Sequence, residues 1–274
     1  MNVRPAYVAD QFYPGDPDEL RAMATGYIDA APVAARPDNV SGVIVPHAGY
    51  IFSGATAGYG YKRIQGAVPD RVVLLGVSHR YRFDGPSLYG GEAFDSPIGR
   101  LPLDEAFTSS LKERFSWYDG RPHEHEHTLE TQLPFIFLAL GATPIVPILF
   151  GAPAGQQHSD FGVQLASMLT PKDLVIASTD LSHFLSDDEA NTIDKRTIAH
   201  ILDGDSEALI EELRDERCSA CGGAAVIAAL SCAAARGAMF RRLLDYRTSA
   251  PVSGDYSRVV GYAAISLEYD EEDA

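Results

Sequence analysis

The chain has 274 residues, of which 46% are hydrophobic and 22% charged; it is too long for a disulfide-stapled miniprotein and too apolar for a disordered chain. Its 38 acidic and 22 basic residues give a formal charge of -16. That field repels phosphate backbones and anionic headgroups, so nucleic acid and membrane are not expected as partners.

The opening stretch has no apolar signal core, and no apolar run approaches the roughly 20 residues of a spanning helix, so a cytoplasmic protein is expected. Cys218, Cys221 and Cys232 fall within one short segment. They cannot staple distant parts of a fold, which also suits a reducing compartment.

Taken in chain order, Asp16 reads as the cap of a first helix, with Pro17 at its first position and Glu19 completing a capping box. Leu20, Met23, Ala24, Tyr27 and Ile28 give that helix one apolar face until Pro32 stops it. Near-continuous Val/Ile/Leu runs at 42–45, 72–75, 145–150 and 174–177 predict strands covered on both faces. Helical patterns fall between and after them, at 54–64, 104–114, 129–140 (interrupted by Pro134), 161–169, 187–202, 206–214 and 221–236. Two closing strands are expected at 240–246 and 258–267. The alternation has no linker or repeat, and predicts a single α/β domain over 1–274: a mixed, largely parallel central sheet with helices on both faces.

Open α/β sheets bind ligands at the carboxyl ends of their strands. His47, His79 and His183 each stand just past such an end, and three imidazoles in one crevice suggest a divalent metal. Asp180, three residues before His183, can orient an imidazole or accept its proton. Cys221 precedes an apolar helix whose N-terminus favours a thiolate, making it a ligand or a nucleophile. In the run His123-Glu124-His125-Glu126-His127, the first two histidines read as part of a solvated acidic loop, whereas His127 adjoins a segment that enters the core. His158 and His200 sit in polar helical contexts and receive no role, and Cys232 reads as a buried small hydrophobe. The common P-loop, Rossmann, serine-hydrolase and zincin motifs are absent from the sequence.

The motifs Pro46-His47-Ala48-Gly49-Tyr50, Leu75-Gly76-Val77-Ser78-His79, Glu126-His127-Thr128-Leu129-Glu130, Ser178-Thr179-Asp180-Leu181-Ser182-His183, Cys221-Gly222 and Ser253-Gly254-Asp255 run in order along nearly the whole chain. Together they resemble the MEMO family, whose prokaryotic members are called AmmeMemoRadiSam system protein B. The resemblance implies a fold like that of the class III extradiol ring-cleaving dioxygenases. It maps His47, His79 and Cys221 onto the metal ligands and His127, Asp180 and His183 onto further catalytic positions; Tyr50 is the expected substrate contact. Asp10 stands where many members have Gly, Val77 where Pro is common, and Leu181 replaces an aromatic residue.

A His/His/Cys set accommodates iron or copper, and zinc as well. The leading expectation is therefore a metal-binding protein performing redox or oxygen-dependent, dioxygenase-like chemistry on a small molecule. An alternative is a non-catalytic module that captures a peptide or sequesters copper or iron in the same crevice, with Arg80 and Arg82 as candidate phosphate contacts whose simpler reading is solvated charge. Thiol-disulfide exchange through Cys218 and Cys221 is a third option. A radical-SAM partner protein is implied by the resemblance alone.

Overall fold

The structure is a computed structural model that describes residues 2–270. Its first half contains β1 (Val3–Arg4), α1 (Pro17–Ala30), β2 (Val40–Val45), α2 (Tyr50–Arg63), β3 (Val72–Val77), β4 (Pro86–Leu88), β5 (Ala93–Ser96), β6 (Gly99–Pro102), α3 (Glu105–Arg114) and α4 (Leu133–Leu140). There follow β7 (Ile145–Phe150), α5 (Gln156–Ala166), β8 (Leu174–Ser178), β9 (His183–Leu185), α6 (Asp187–Asp203), α7 (Ser206–Arg214), α8 (Gly223–Ala235), β10 (Phe240–Thr248), α9 (Ala250–Ser253) and β11 (Val259–Glu268).

The large sheet runs β10-β11-β2-β8-β3-β7-β4, with β9 paired to β11 off that path. Its centre, β2-β8-β3-β7, is parallel, while β11, β10 and β4 join antiparallel. The parallel strands alternate between two cores, as a two-residue side-chain period requires. Val73, Leu75 and Val175 pack on one face with Phe161, Ile198, Leu209 and the buried stripe of α8. Val72, Leu74 and Ile176 pack on the other with Leu20, Ile28, Tyr61 and Phe135. All four parallel strands therefore point their carboxyl ends, and the loops that carry the candidate ligands, to one edge. No helix among the described residues is long and apolar enough to cross a membrane.

Several element boundaries differ from expectation for local reasons. Pro134 does not interrupt a helix; it occupies the second position of α4, after a 3-10 turn at Glu130–Gln132, where a missing N–H does no harm. Helix α5 begins at Gln156, earlier than its apolar pattern, because its first turn is mostly polar and only Phe161, Gly162 and Leu165 turn inward beyond His158. A separate sheet, β1-β5-β6, has no counterpart in the sequence reading, since strands of two to four residues are too short to show a period. Asp10 adopts a left-handed φ of 62°, a conformation that glycine takes at no steric cost. Its carboxylate accepts the Gly15 N–H at 2.8 Å, a local bond that helps aspartate tolerate this conformation.

Glu130 ties the N-terminal segment to the α4 entry. It is fully buried, and its Oε1 accepts from the Tyr7 and Val8 N–H groups and the Tyr13 hydroxyl, each at 2.7 Å. Its Oε2 accepts from the buried Arg4 guanidinium at 2.7 Å. Glu130→Ala would strand that guanidinium and three further donors, so a loss of about 3–5 kcal/mol is expected, measured by urea unfolding.

Candidate metal centre

His47 lies two residues past the end of β2, and it is buried. Its Nδ1 is 2.9 Å from Ser178 Oγ, and the Ser178 hydroxyl donates its proton to the Thr128 carbonyl at 2.7 Å. Ser178 must therefore accept from His47 Nδ1–H, which leaves the Nε2 lone pair free. That Nε2 faces Cys221 Sγ at 3.2 Å. Burial pushes the imidazole down to about 4, so it is neutral and able to ligate at pH 7.

His79, two residues past β3, donates Nδ1–H to Glu126 Oε1 at 3.1 Å and its backbone N–H to Glu126 Oε2 at 2.7 Å. The hydrogen bond to Glu126 raises its pKa. His127 Nδ1 lies 3.1 Å from the same Oε1, and its ring stacks on His79 with centroids 4.8 Å apart. Both rings stand edge-on to His47, at 5.6 and 5.4 Å. One carboxylate thus orients two imidazoles by their Nδ1 atoms and leaves both Nε2 atoms available.

Cys221 is brought in from a remote part of the chain. Its backbone N–H donates to the Asp180 carbonyl at 3.1 Å, and its sulfur accepts the Asp180 N–H at 3.3 Å. Gly222 makes this approach possible: a Cβ there would lie 2.3 Å from the Ser178 carbonyl oxygen and 2.7 Å from Thr179 Cβ. The expected helix-terminus thiolate is corrected by the local balance. Desolvation of the sulfur pushes the thiol up, above what the helix N-terminus and its hydrogen bonds can offset, so an incoming cation must displace a proton.

One ligand atom each from His47, His79 and Cys221 lies within 4.8 Å of the other two. A metal bound at about 2.0–2.1 Å to nitrogen and about 2.3 Å to sulfur separates those two atoms by roughly 3.1 to 3.6 Å, depending on the bond angle. The 3.2 Å between His47 Nε2 and Cys221 Sγ falls in that range, so the donor set fits a transition-metal ion. Asp180 Oδ1 accepts the His47 and Ala48 N–H groups at 2.8 and 3.3 Å, and Oδ2 stands 3.8 Å from His47 Nε2. The structure thus gathers His47, His79, Cys221, His127 and Asp180 into one cluster.

His183 is outside that ligand trio. It is exposed on the wall of a cavity of about 920 Å³ that also reaches His79 and Cys221, and its Nδ1 donates to the Leu181 carbonyl at 2.9 Å. Phe184, between His183 and Leu185 on that wall, takes a φ of 62°, a strained conformation for a bulky side chain. Tyr50, expected to touch a ligand, belongs to the core instead. As the first residue of α2 it is buried against Tyr13 and Phe135, with its hydroxyl donating to the Thr131 carbonyl at 2.7 Å.

Glu126 and Ser178, which bond the Nδ1 atoms of the candidate ligands His79 and His47, have no role assigned to them from the sequence. His123 is a further correction: it is buried, not solvated, and its Nε2–H donates to the Ser87 carbonyl at 3.0 Å. His158 is buried too, accepting the Gly155 N–H at 3.2 Å and packing on Phe150. Burial pushes His123 down to about 3. The unfolded chain, with an ordinary value near 6.5, then binds more protons than the folded one between pH 3 and 6.5, and stability must fall as pH falls through that window. His123→Gln keeps an N–H donor and removes the titration, so its melting temperature is expected to vary less between pH 4 and 6.5 than that of the parent.

The family model described as "Memo-like protein" matches residues 4–266. A MEMO1 family protein of Methanopyrus kandleri is 35% identical over 272 residues, covering 94% of this chain and 96% of its own. MEMO1 family proteins of Aquifex aeolicus and Methanocaldococcus jannaschii are 34% and 33% identical, each with 97% of this chain and 99% of the relative covered. Among solved structures, the uncharacterized protein JW3007 from Escherichia coli K12 superposes with a TM-score of 0.56 at 10% identity, covering 83% of this chain and 99% of that one. At that identity the likeness is one of fold.

Proposed function

The chain belongs to the Memo family, and on that premise we propose that His47, His79 and Cys221 hold one transition-metal ion, iron or copper with zinc also accommodated, for redox or oxygen-dependent chemistry on a small molecule. One observation carries this reading: two oriented imidazoles and a thiol from three separate elements meet where a large cavity reaches the carboxyl edge of the sheet. Such an ion would supply a Lewis-acidic or redox centre with positions left for substrate.

The chain's own groups have distinct tasks. Ser178 and Glu126 fix the ligand imidazoles with Nε2 forward, and the Asp180 carboxylate adds negative charge beside them. His183, with Nδ1–H on the Leu181 carbonyl, offers a free Nε2 to accept a proton from a bound hydroxyl. His127, whose ring stacks on His79, carries a second Nε2 suited to the same role. Phe150, Pro153, Leu185 and Leu213 keep water off the bound molecule.

The test is oxygen uptake by untagged protein loaded anaerobically with iron or copper and given catechol-like compounds. Uptake with about one equivalent of iron is expected, reduced about 10²- to 10⁴-fold in His183→Gln. Tight metal binding with no uptake on any such compound would overturn the enzymatic reading in favour of a binding module.

A further inference from the structure

Arg82 and Arg214 line the same cavity as His79, His183 and Cys221, together with one acid, Glu216. This excess of cations is local, in a chain where acids outnumber bases 38 to 22. Among the described residues, neither guanidinium makes a side-chain hydrogen bond or ion pair. Elsewhere Arg4, Arg63 and Arg71 are each bonded to a carboxylate. The two arginines come from separate elements, the loop after β3 and the last residue of α7, and converge on one cavity. A chain of charge -16 repels anions at long range, so an acid binds only where local cations outweigh that field. Unpaired guanidiniums, each with a planar fork of donors, match a carboxylate. The remaining wall includes Phe150, Pro153, Leu185, Ile193 and Leu213, a surface for an apolar body.

We propose that the molecule taken into this cavity is a small organic acid, its carboxylate held by Arg82 and Arg214 and its apolar body packed against Phe150, Leu185 and Leu213. This deepens the function proposed above and rests on the cavity being its substrate site. Arg82 stands three residues after His79, so the loop that supplies a metal ligand also supplies a carboxylate anchor.

The experiment is calorimetric titration of the full-length protein with benzoate and 3-phenylpropionate, against benzamide, 3-phenylpropionamide and phenyl phosphate. At least one acid is expected to bind about tenfold tighter than its amide or better, as charge-assisted hydrogen bonds imply. That preference should vanish in the Arg82→Gln/Arg214→Gln double variant, whose melting temperature should match the parent because both side chains are exposed. Equal affinity for acid and amide, no binding of either acid at millimolar concentration, an acid preference that survives the double variant, or phenyl phosphate binding without carboxylate binding would each overturn the proposal. The readout is binding, not turnover. Failure of oxygen uptake therefore leaves the acid site standing, and loss of acid preference leaves the metal centre standing.

Discussion

Cys221→Ser should lower metal affinity at least about 100-fold while leaving the fold intact. Residues that merely orient a ligand are worth about 10- to 100-fold in affinity, and loss of the sulfur itself should exceed that. A serine hydroxyl in its place is a poor donor to iron, copper or zinc at neutral pH, because it stays protonated where a thiol can be deprotonated by the ion. Stability should change by less than about 1 kcal/mol, since a serine oxygen can still accept the Asp180 N–H that now reaches the sulfur at 3.3 Å. Cys218→Ser is the matched control. The Cys218 thiol donates to Glu212 at 3.4 Å and groups with His200 and Glu212, apart from the trio of His47, His79 and Cys221, so its replacement should leave the metal affinity of that trio within about twofold of the parent. Competition titration with a chelating dye reads both variants; a Cys218 effect equal to that of Cys221 would instead favour dithiol chemistry.

Replacing Glu126 is expected to damage fold and site together. The carboxylate is buried and accepts the backbone N–H groups of His79, His127 and Thr128 at 2.7, 2.9 and 3.2 Å, besides the two imidazole contacts. Desolvation alone would raise its pKa, but the bonds from His127 and His79 hold it well below the usual carboxylate range. Glu126→Ala leaves five donors without this partner and should destabilise by about 3–5 kcal/mol in chemical denaturation. Glu126→Gln keeps the shape but turns one end of the group into a donor facing other donors. It should cost less stability, about 1–3 kcal/mol, and still weaken metal binding about 10- to 100-fold. A glutamine variant with parental affinity would show that Glu126 supports the fold without orienting His79.

These two residues also mark how far the sequence could be read. The parallel strands were legible because burial on both faces writes a continuous apolar run, and a strand end followed by His47 or His79 is visible without coordinates. Asp16 was legible as a cap, and its Oδ1 accepts from both Asp18 and Glu19. Glu126 was not legible, since a carboxylate between histidines in His123-Glu124-His125-Glu126-His127 carries the polarity of a solvated loop. Its burial is imposed by β3, whose His79 supplies two donors from 47 positions away. The usable signal was its place two residues before Thr128, where the chain enters the core. Tyr50 misled for the opposite reason: it closes a motif that contains a candidate ligand, yet the first turn of α2 directs its ring inward. Short strands such as β5 and β9 gained their form from the partners they meet, β6 and β11, and left no period to detect.

The joining of His47, His79 and Cys221 to one ion is tested most directly by X-ray absorption at the metal edge of untagged protein. The expected spectrum has one sulfur at about 2.3 Å and two or more nitrogens at about 2.0–2.1 Å around about one equivalent of metal, with the sulfur contribution gone in Cys221→Ser. A wild-type shell of nitrogen and oxygen alone, or a spectrum that Cys221→Ser leaves unchanged, would contradict it.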